Sequence, residues 1–161
     1  MTYPTGKEFL SRLALDLEKP PACAADGRSA RRERLLGTSL SYLFQVSTCR
    51  PSCRGGDHVL EALVGRCFNH SLGAAKLIEL CLYDEALNLT RSIAEITNLM
   101  VLFDGRPEIF ARWKTASRKE RLNEFSPAKI REKLQKNGWS ILPVSKEAYQ
   151  ELCEIATHVT T

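Results

Sequence analysis

The segment from residue 84 to 103, DEALNLTRSIAEITNLMVLF, places apolar side chains around most of the circumference of a helix. The apolar residues are Leu87, Leu89, Ile93, Ala94, Ile96, Leu99, Met100, Val101 and Phe103. A helix that is apolar on nearly every side needs protein neighbours on nearly every side. The segment is therefore predicted to be the central helix of a bundle. It also predicts a homodimer, because the chain has few other long helices to surround it.

The polar residues of this segment share one narrow arc of the helix. Spacings of three and four residues put Asp84, Asn88, Arg91, Glu95 and Asn98 on that arc. Two interpretations are open. In the first, Arg91 and Glu95 form an internal ion pair that joins two helices or a dimer seam. In the second, which is catalytic, Arg91 binds an anion, Glu95 orients or deprotonates the reacting group, and His158 serves as acid or base.

A second long helix is predicted from 57 to 82, with Asp57 as a candidate N-cap. The short break LYDE lets it return antiparallel to the central helix. Further helices are predicted at 7–18, 30–46, 107–116, 117–125, 127–137 and after Ser145. No segment alternates polar and apolar residues with a period of two. The fold class is therefore predicted as all-α, a helical bundle built on the antiparallel hairpin of about 57–82 and 84–103, with shorter C-terminal helices.

The length of the chain predicts one domain. A chain of 161 residues can bury a single core without disulfides or metals. Residues 1–55 are predicted to hold N-terminal helices and a cysteine-containing loop, and 56–161 the core. The N-terminus lacks the pattern of a secretory signal, and no apolar run is long enough to cross a bilayer. These features favour a cytoplasmic protein without membrane contact, in which Cys67, Cys81 and Cys153 are buried reduced thiols. No cofactor is expected.

The positive charge of the chain is concentrated in one segment. Residues 106–136 hold ten lysines and arginines against four glutamates, whereas the whole chain carries a net charge of +4. Trp113 and Phe125 lie among these charges, and aromatic residues within a basic surface are typical of contact with nucleic acid. Arg112, Lys114 and Arg118 are the candidate ligand-binding residues. The alternative is an ordinary solvated helix surface, on which lysine and arginine are common.

Two weaker candidate sites involve histidine or cysteine. Arg66 and His70, four residues apart on one helix face, have the residue types needed to bind phosphate and move a proton during RNA cleavage. The alternative is the solvated edge of an amphipathic helix. Cys49 and Cys53 have the spacing of one half of a zinc site. A second ligand pair is poorly placed, so two thiols in a loop are the favoured interpretation and no metal site is predicted.

Several stretches together resemble a known superfamily. The long helix DHVLEALVGRCFNHSLGAAKLIELCLYDEA, the helix with RSIAEITNL and the closing YQELCEIATHV are similar to bacterial helical domains of the HEPN (higher eukaryotes and prokaryotes nucleotide-binding) superfamily. The resemblance spans about residues 56–159. It implies Arg91, Glu95, Asn98, Tyr149 and His158 as the family-type positions, with Asn98 and Tyr149 in ligand binding.

The resemblance also implies a function. HEPN proteins are commonly dimeric helical bundles, and many are ribonucleases of toxin–antitoxin or phage-defence systems. The expected partners are therefore a second copy, RNA or a nucleotide, and an antitoxin-like protein. The usual HEPN catalytic signature is an arginine and a histidine with four to six residues between them, whereas Arg66 and His70 have three. A non-catalytic dimeric interaction module is the alternative function.

Overall fold

The computed structural model describes residues 27–48, 56–139, 142 and 144–157. Within these residues the chain forms seven helices and no strand, which confirms the all-α prediction. The helices are α1 (Gly27–Ser47), α2 (Val59–Glu79), α3 (Tyr83–Phe103), α4 (Pro107–Thr115), α5 (Arg118–Glu124), α6 (Pro127–Lys136) and α7 (Lys146–Thr157). The predicted helix at 7–18, the Cys49 and Cys53 pair, and His158 lie outside the described residues.

The hairpin of α2 and α3 forms as predicted, and its two helices approach each other closely. A Cβ atom added at Gly73 would lie 3.0 Å from Cδ1 of Leu89 on the facing helix. The turn between the helices includes Cys81, which adopts a left-handed backbone conformation with φ of 59°. This cysteine is exposed, so the prediction of a buried thiol is wrong for Cys81. Cys67 is buried as predicted, and Cys153 is only partly buried. Burial raises the pKa of the Cys67 thiol.

The start of α2 differs from the prediction. The N-cap is His58, with φ of 53°, rather than Asp57. Asp57 still contacts the first turn, because its carboxylate accepts a hydrogen bond of 3.4 Å from the backbone N–H of Val59. The same carboxylate forms an ion pair with Lys114 at the end of α4. The hydrogen bond from Lys114 is the main reason that the pKa of Asp57 is lowered.

Two of the helices that follow α3, α5 and α7, begin at side-chain caps. At the start of α5, the Ser117 hydroxyl accepts from the N–H of Glu120, and the Glu120 carboxylate accepts from the N–H of Ser117. This reciprocal pair is a capping box. At the start of α7, the Ser145 hydroxyl accepts a hydrogen bond of 3.1 Å from the N–H of Ala148, which confirms Ser145 as the N-cap.

Helix α3 is the central helix, as its apolar circumference predicts. It packs against α2, α4, α6 and α7, whereas α1 packs mainly along α2. Leu102 of α3 and Leu134 of α6 are fully buried where these helices meet. None of the helices in the described part of the chain is both long enough and apolar enough to cross a membrane.

Candidate functional site

The polar arc of α3 faces the last helix and the loop before it. Asn98 is the clearest case, because it is polar and only 3% exposed. Its Nδ2 donates a hydrogen bond of 3.0 Å to the carbonyl of Val144, and its Oδ1 accepts one of 3.3 Å from the N–H of Val144. One buried side chain therefore satisfies both backbone groups of a loop residue just before α7.

Two further residues of the arc bond to α7 itself. The Tyr149 hydroxyl donates a hydrogen bond of 2.7 Å to Oε1 of Glu95. Near the other end of α7, Nδ2 of Asn88 donates a bond of 3.1 Å to the carbonyl of Ala156. Burial of Tyr149, together with its hydrogen bond to the Glu95 carboxylate, raises the pKa of this phenol well above its ordinary value. Tyr149 therefore remains protonated and acts as a donor at neutral pH.

Arg91 and Glu95 are close but form only a loose pair. Nε of Arg91 lies 3.9 Å from Oε1 of Glu95, the same oxygen that Tyr149 contacts. That distance exceeds a hydrogen bond, and Nε of Arg91 is buried without a hydrogen-bond partner in the described chain. The guanidinium of Arg131 lies over the Tyr149 ring, 4.5 Å from its centroid, and its Nη1 is also buried without such a partner. Two arginines thus flank the Glu95–Tyr149 pair.

On another side, Glu95 borders a cleft of about 210 Å³. The lining includes Arg66 of α2, Ser92 and Glu95 of α3, Trp113 of α4 and Phe125 before α6. The Trp113 ring also packs against the buried Phe103, at 5.5 Å between centroids, so only part of the indole borders the cleft. The cleft combines one cation, one carboxylate, a hydroxyl and an aromatic edge.

The three predicted ligand-binding residues of the basic segment are spread over separate contacts. Nη2 of Arg112 lies 2.8 Å from Oε1 of Glu120 and also pairs with Glu124, whereas Lys114 pairs with Asp57. Arg118 is exposed and forms no ion pair with the described residues. The hydrogen bonds of Glu120 with Ser117 and then Arg112 lower the pKa of this carboxyl to about 2. Two of the three candidate cations, Arg112 and Lys114, are therefore paired with carboxylates of the same chain.

The Arg66 and His70 pair is divided between two surroundings. Arg66 is exposed and borders the same cleft as Glu95. His70 is half-buried, with an Nε2 atom that has no hydrogen-bond partner in the described chain. Among the described residues, no group of three or more histidine, cysteine, aspartate or glutamate side chains is arranged to hold a metal ion.

Sequence reasoning missed two parts of the site. Arg131 was visible only as one more charge of the basic segment, and its contact with Tyr149 joins helices that are distant in sequence. The backbone of Val144 carries no sequence signal as a partner for Asn98. Comparison of the chain with family models, with curated proteins and with solved structures finds no match.

Proposed function

We propose that this protein is a non-catalytic helical interaction module that acts in the cytoplasm as a homodimer. One observation carries the non-catalytic part of the proposal, namely that the α3 arc is occupied by contacts within the chain. Asn98 and Asn88 bond to backbone groups at the two ends of the α7 region, and Glu95 bonds to Tyr149 between them. A carboxylate and two amides engaged in this way hold α7 in place, which is a structural role.

A catalytic role would require Arg91 and Glu95 to act on a substrate in addition to their contacts within the chain. A general base at Glu95 or an anion clamp at Arg91 would have to act on a substrate while Oε1 of Glu95 accepts a hydrogen bond from the Tyr149 hydroxyl. Breaking that bond would also release a contact that holds α7. The contacts of the arc therefore favour a structural role, the attachment of α7 to α3, over a catalytic one.

A test of the proposal measures association and ribonuclease activity on the same preparation. We expect sedimentation equilibrium to give twice the monomer mass, and we expect no cleavage of a mixed-sequence single-stranded RNA. The Arg91→Gln variant should likewise cleave no RNA. RNA cleavage by the wild-type protein that Arg91→Gln abolishes, with the helical circular dichroism spectrum retained, would refute the proposal.

The second candidate function is RNA or nucleotide binding of the HEPN kind, with ribonuclease activity in a defence system and an antitoxin-like protein partner. The observation that favours it is the cleft, where the Arg66 cation and the edge of Trp113 lie on one surface with Ser92. A phosphate needs a cation and a base can contact an aromatic side chain, so the residue types suit a nucleotide.

The second candidate is tested by fluorescence anisotropy with a labelled single-stranded RNA at two salt concentrations. If the cleft binds RNA, Arg66→Gln should weaken binding about tenfold and reduce its salt dependence. Lys136→Gln is the matched control. It removes one positive charge, as Arg66→Gln does, from an exposed lysine that pairs with Glu132. Equal weakening by both variants would show non-specific attraction and exclude the cleft.

A further inference from the structure

The cleft beside Glu95 has an apolar interior. Five of the side chains that line it belong to the buried core, namely Leu63, Ile96, Leu99, Phe125 and Ile130. Trp113 also lines the cleft, and its ring is held by stacking with Phe110 and by the guanidinium of Arg121, 5.0 Å from the ring centroid. A cavity of roughly 150 Å³ holds a benzene molecule. The cleft, at about 210 Å³, therefore has room for a side chain of the size of leucine together with a small head group.

Two acceptor groups border the cleft one helical turn apart on α3. The Ser92 hydroxyl donates its hydrogen to the carbonyl of Asn88, at 3.2 Å, so its oxygen is left to accept a hydrogen bond from a molecule in the cleft. Oε1 of Glu95 accepts from Tyr149, whereas Oε2 accepts no hydrogen bond from the described residues. Side chains three residues apart on a helix are neighbours. Ser92 and Glu95 thus form a pair of acceptors that suits an ammonium group, which has three donors.

A cation of α2 lies across the cleft from this pair. Gly73 of α2 approaches Leu89 of α3, and the two helices run antiparallel. Arg66 comes seven residues before Gly73, so it is level with Ile96, seven residues after Leu89 and next to Glu95. Arg66 is exposed, lines the same cleft, and forms no ion pair or hydrogen bond with the described residues. The cleft therefore separates two opposite charges that do not pair with each other.

We propose that this cleft is a binding site for a free α-amino acid with an apolar side chain of about the size of leucine. Such a molecule carries an ammonium group, a carboxylate and an apolar side chain on one carbon atom. The ammonium group donates to Ser92 and Glu95, the carboxylate accepts from the guanidinium of Arg66, and the side chain packs on the buried floor. This inference goes beyond the proposed function and does not depend on the homodimer.

The charges of the cleft favour an amino acid over a phosphate compound. Its lining holds one cation and one carboxylate, Arg66 and Glu95. A phosphate group would bring its negative charge beside the Glu95 carboxylate, which repels it. An amino acid carries one charge of each sign and meets both. A simple amine or a simple carboxylic acid would leave one charge of the cleft without a partner.

Isothermal titration calorimetry of the full chain with L-leucine tests the site. We expect saturable binding of one molecule per chain. Two analogues, 4-methylpentanoate without the ammonium group and 3-methylbutylamine without the carboxylate, should each bind at least about tenfold more weakly, because each loses a charge-assisted hydrogen bond. L-Alanine keeps both charges and should also bind at least about tenfold more weakly, because its side chain covers little of the apolar floor.

Two variants assign the charges to their residues. Arg66→Gln should weaken the binding of L-leucine about tenfold and should not weaken that of 3-methylbutylamine, which has no carboxylate. Glu95→Gln should weaken the binding of both, while its amide oxygen can still accept the Tyr149 hydrogen bond. Lys136→Gln is the matched charge control and should leave each affinity unchanged. Circular dichroism spectra check that the variants keep the helical fold.

Every outcome either supports the site or overturns it. Absence of L-leucine binding at millimolar concentrations would overturn it, and so would equal affinities for L-leucine and its analogues. Equal weakening by Arg66→Gln and Lys136→Gln would place the binding outside the cleft. Labelled RNA that binds through Arg66 and is not displaced by L-leucine would assign the cleft to RNA instead. None of these results bears on the homodimer, which is measured separately by sedimentation equilibrium.

Discussion

The hydroxyl of Tyr149 donates a hydrogen bond of 2.7 Å to Oε1 of Glu95, and this contact joins the last helix to the central one. Both partners of this hydrogen bond are titratable side chains. The bond can be removed without removing the ring, because Arg131 contacts the ring face rather than the hydroxyl. This arrangement allows the hydrogen bond to be measured separately from the packing.

Tyr149→Phe should lower the free energy of unfolding by about 1 kcal/mol, the typical net contribution of a hydrogen bond. The ring keeps its packing and its contact with Arg131, so the loss reports the hydroxyl alone. Urea denaturation followed by circular dichroism measures the change. The control is Tyr42→Phe, whose side chain is 67% exposed and should change stability by less than about 0.5 kcal/mol. Equal losses in the two variants would contradict a structural role for the Tyr149 bond.

The raised pKa of Tyr149 predicts a loss of stability in alkali. Its ordinary pKa is 10.0, and burial followed by the Glu95 hydrogen bond raises the pKa in the folded protein. Above pH 10 the unfolded chain releases this proton while the folded chain keeps it, so stability is complete below pH 10 and falls as the pH rises. Urea unfolding at pH 9 and pH 11 should show a smaller decrease for Tyr149→Phe than for the wild type. Parallel decreases would show that Tyr149 is not responsible.

Asn98→Ala should be the most destabilising change on the arc, at about 2–3 kcal/mol. The substitution leaves both the N–H and the carbonyl of Val144 without their protein partner at a buried position. Hydrogen exchange should also show faster exchange in α7, because the loop before it is released. Asn88→Ala is the matched comparison, since it removes one bond from a half-buried amide and should cost about 1 kcal/mol. A smaller loss for Asn98 than for Asn88 would contradict the assignment.

Two glycines of α2 should respond differently to replacement by alanine. Alanine is favoured over glycine inside a helix by up to about 1 kcal/mol. A Cβ at Gly65 would lie 3.5 Å from Cβ of Ser47, an ordinary contact, so Gly65→Ala should stabilise the protein. A Cβ at Gly73 would lie 3.0 Å from Leu89, which must move, so Gly73→Ala should gain less or lose stability. Thermal melts of the two variants compare them directly, and a greater gain at Gly73 would contradict the close helix approach.

Within the residues that the structure describes, the sequence by itself determined the helices and the central position of α3. The apolar circumference of 84–103, the break at LYDE and the cap at Ser145 are local patterns, and local patterns depend on residues three or four positions apart. For the same reason the wheel placed Arg91, Glu95 and Asn98 on one arc. A helical wheel shows which side chains share a face of one helix. It does not show which other helix or loop that face contacts.

Only the tertiary structure decided what the arc contacts. Asn98 and Val144 are 46 positions apart, and Glu95 and Tyr149 are 54. Which residues meet over such separations depends on how all the helices pack around α3, because each helix must bury its own apolar face at the same time. The same packing left Leu35, Tyr42 and Val46 of α1 exposed. The contacts of the polar arc thus depend on the arrangement of the whole bundle.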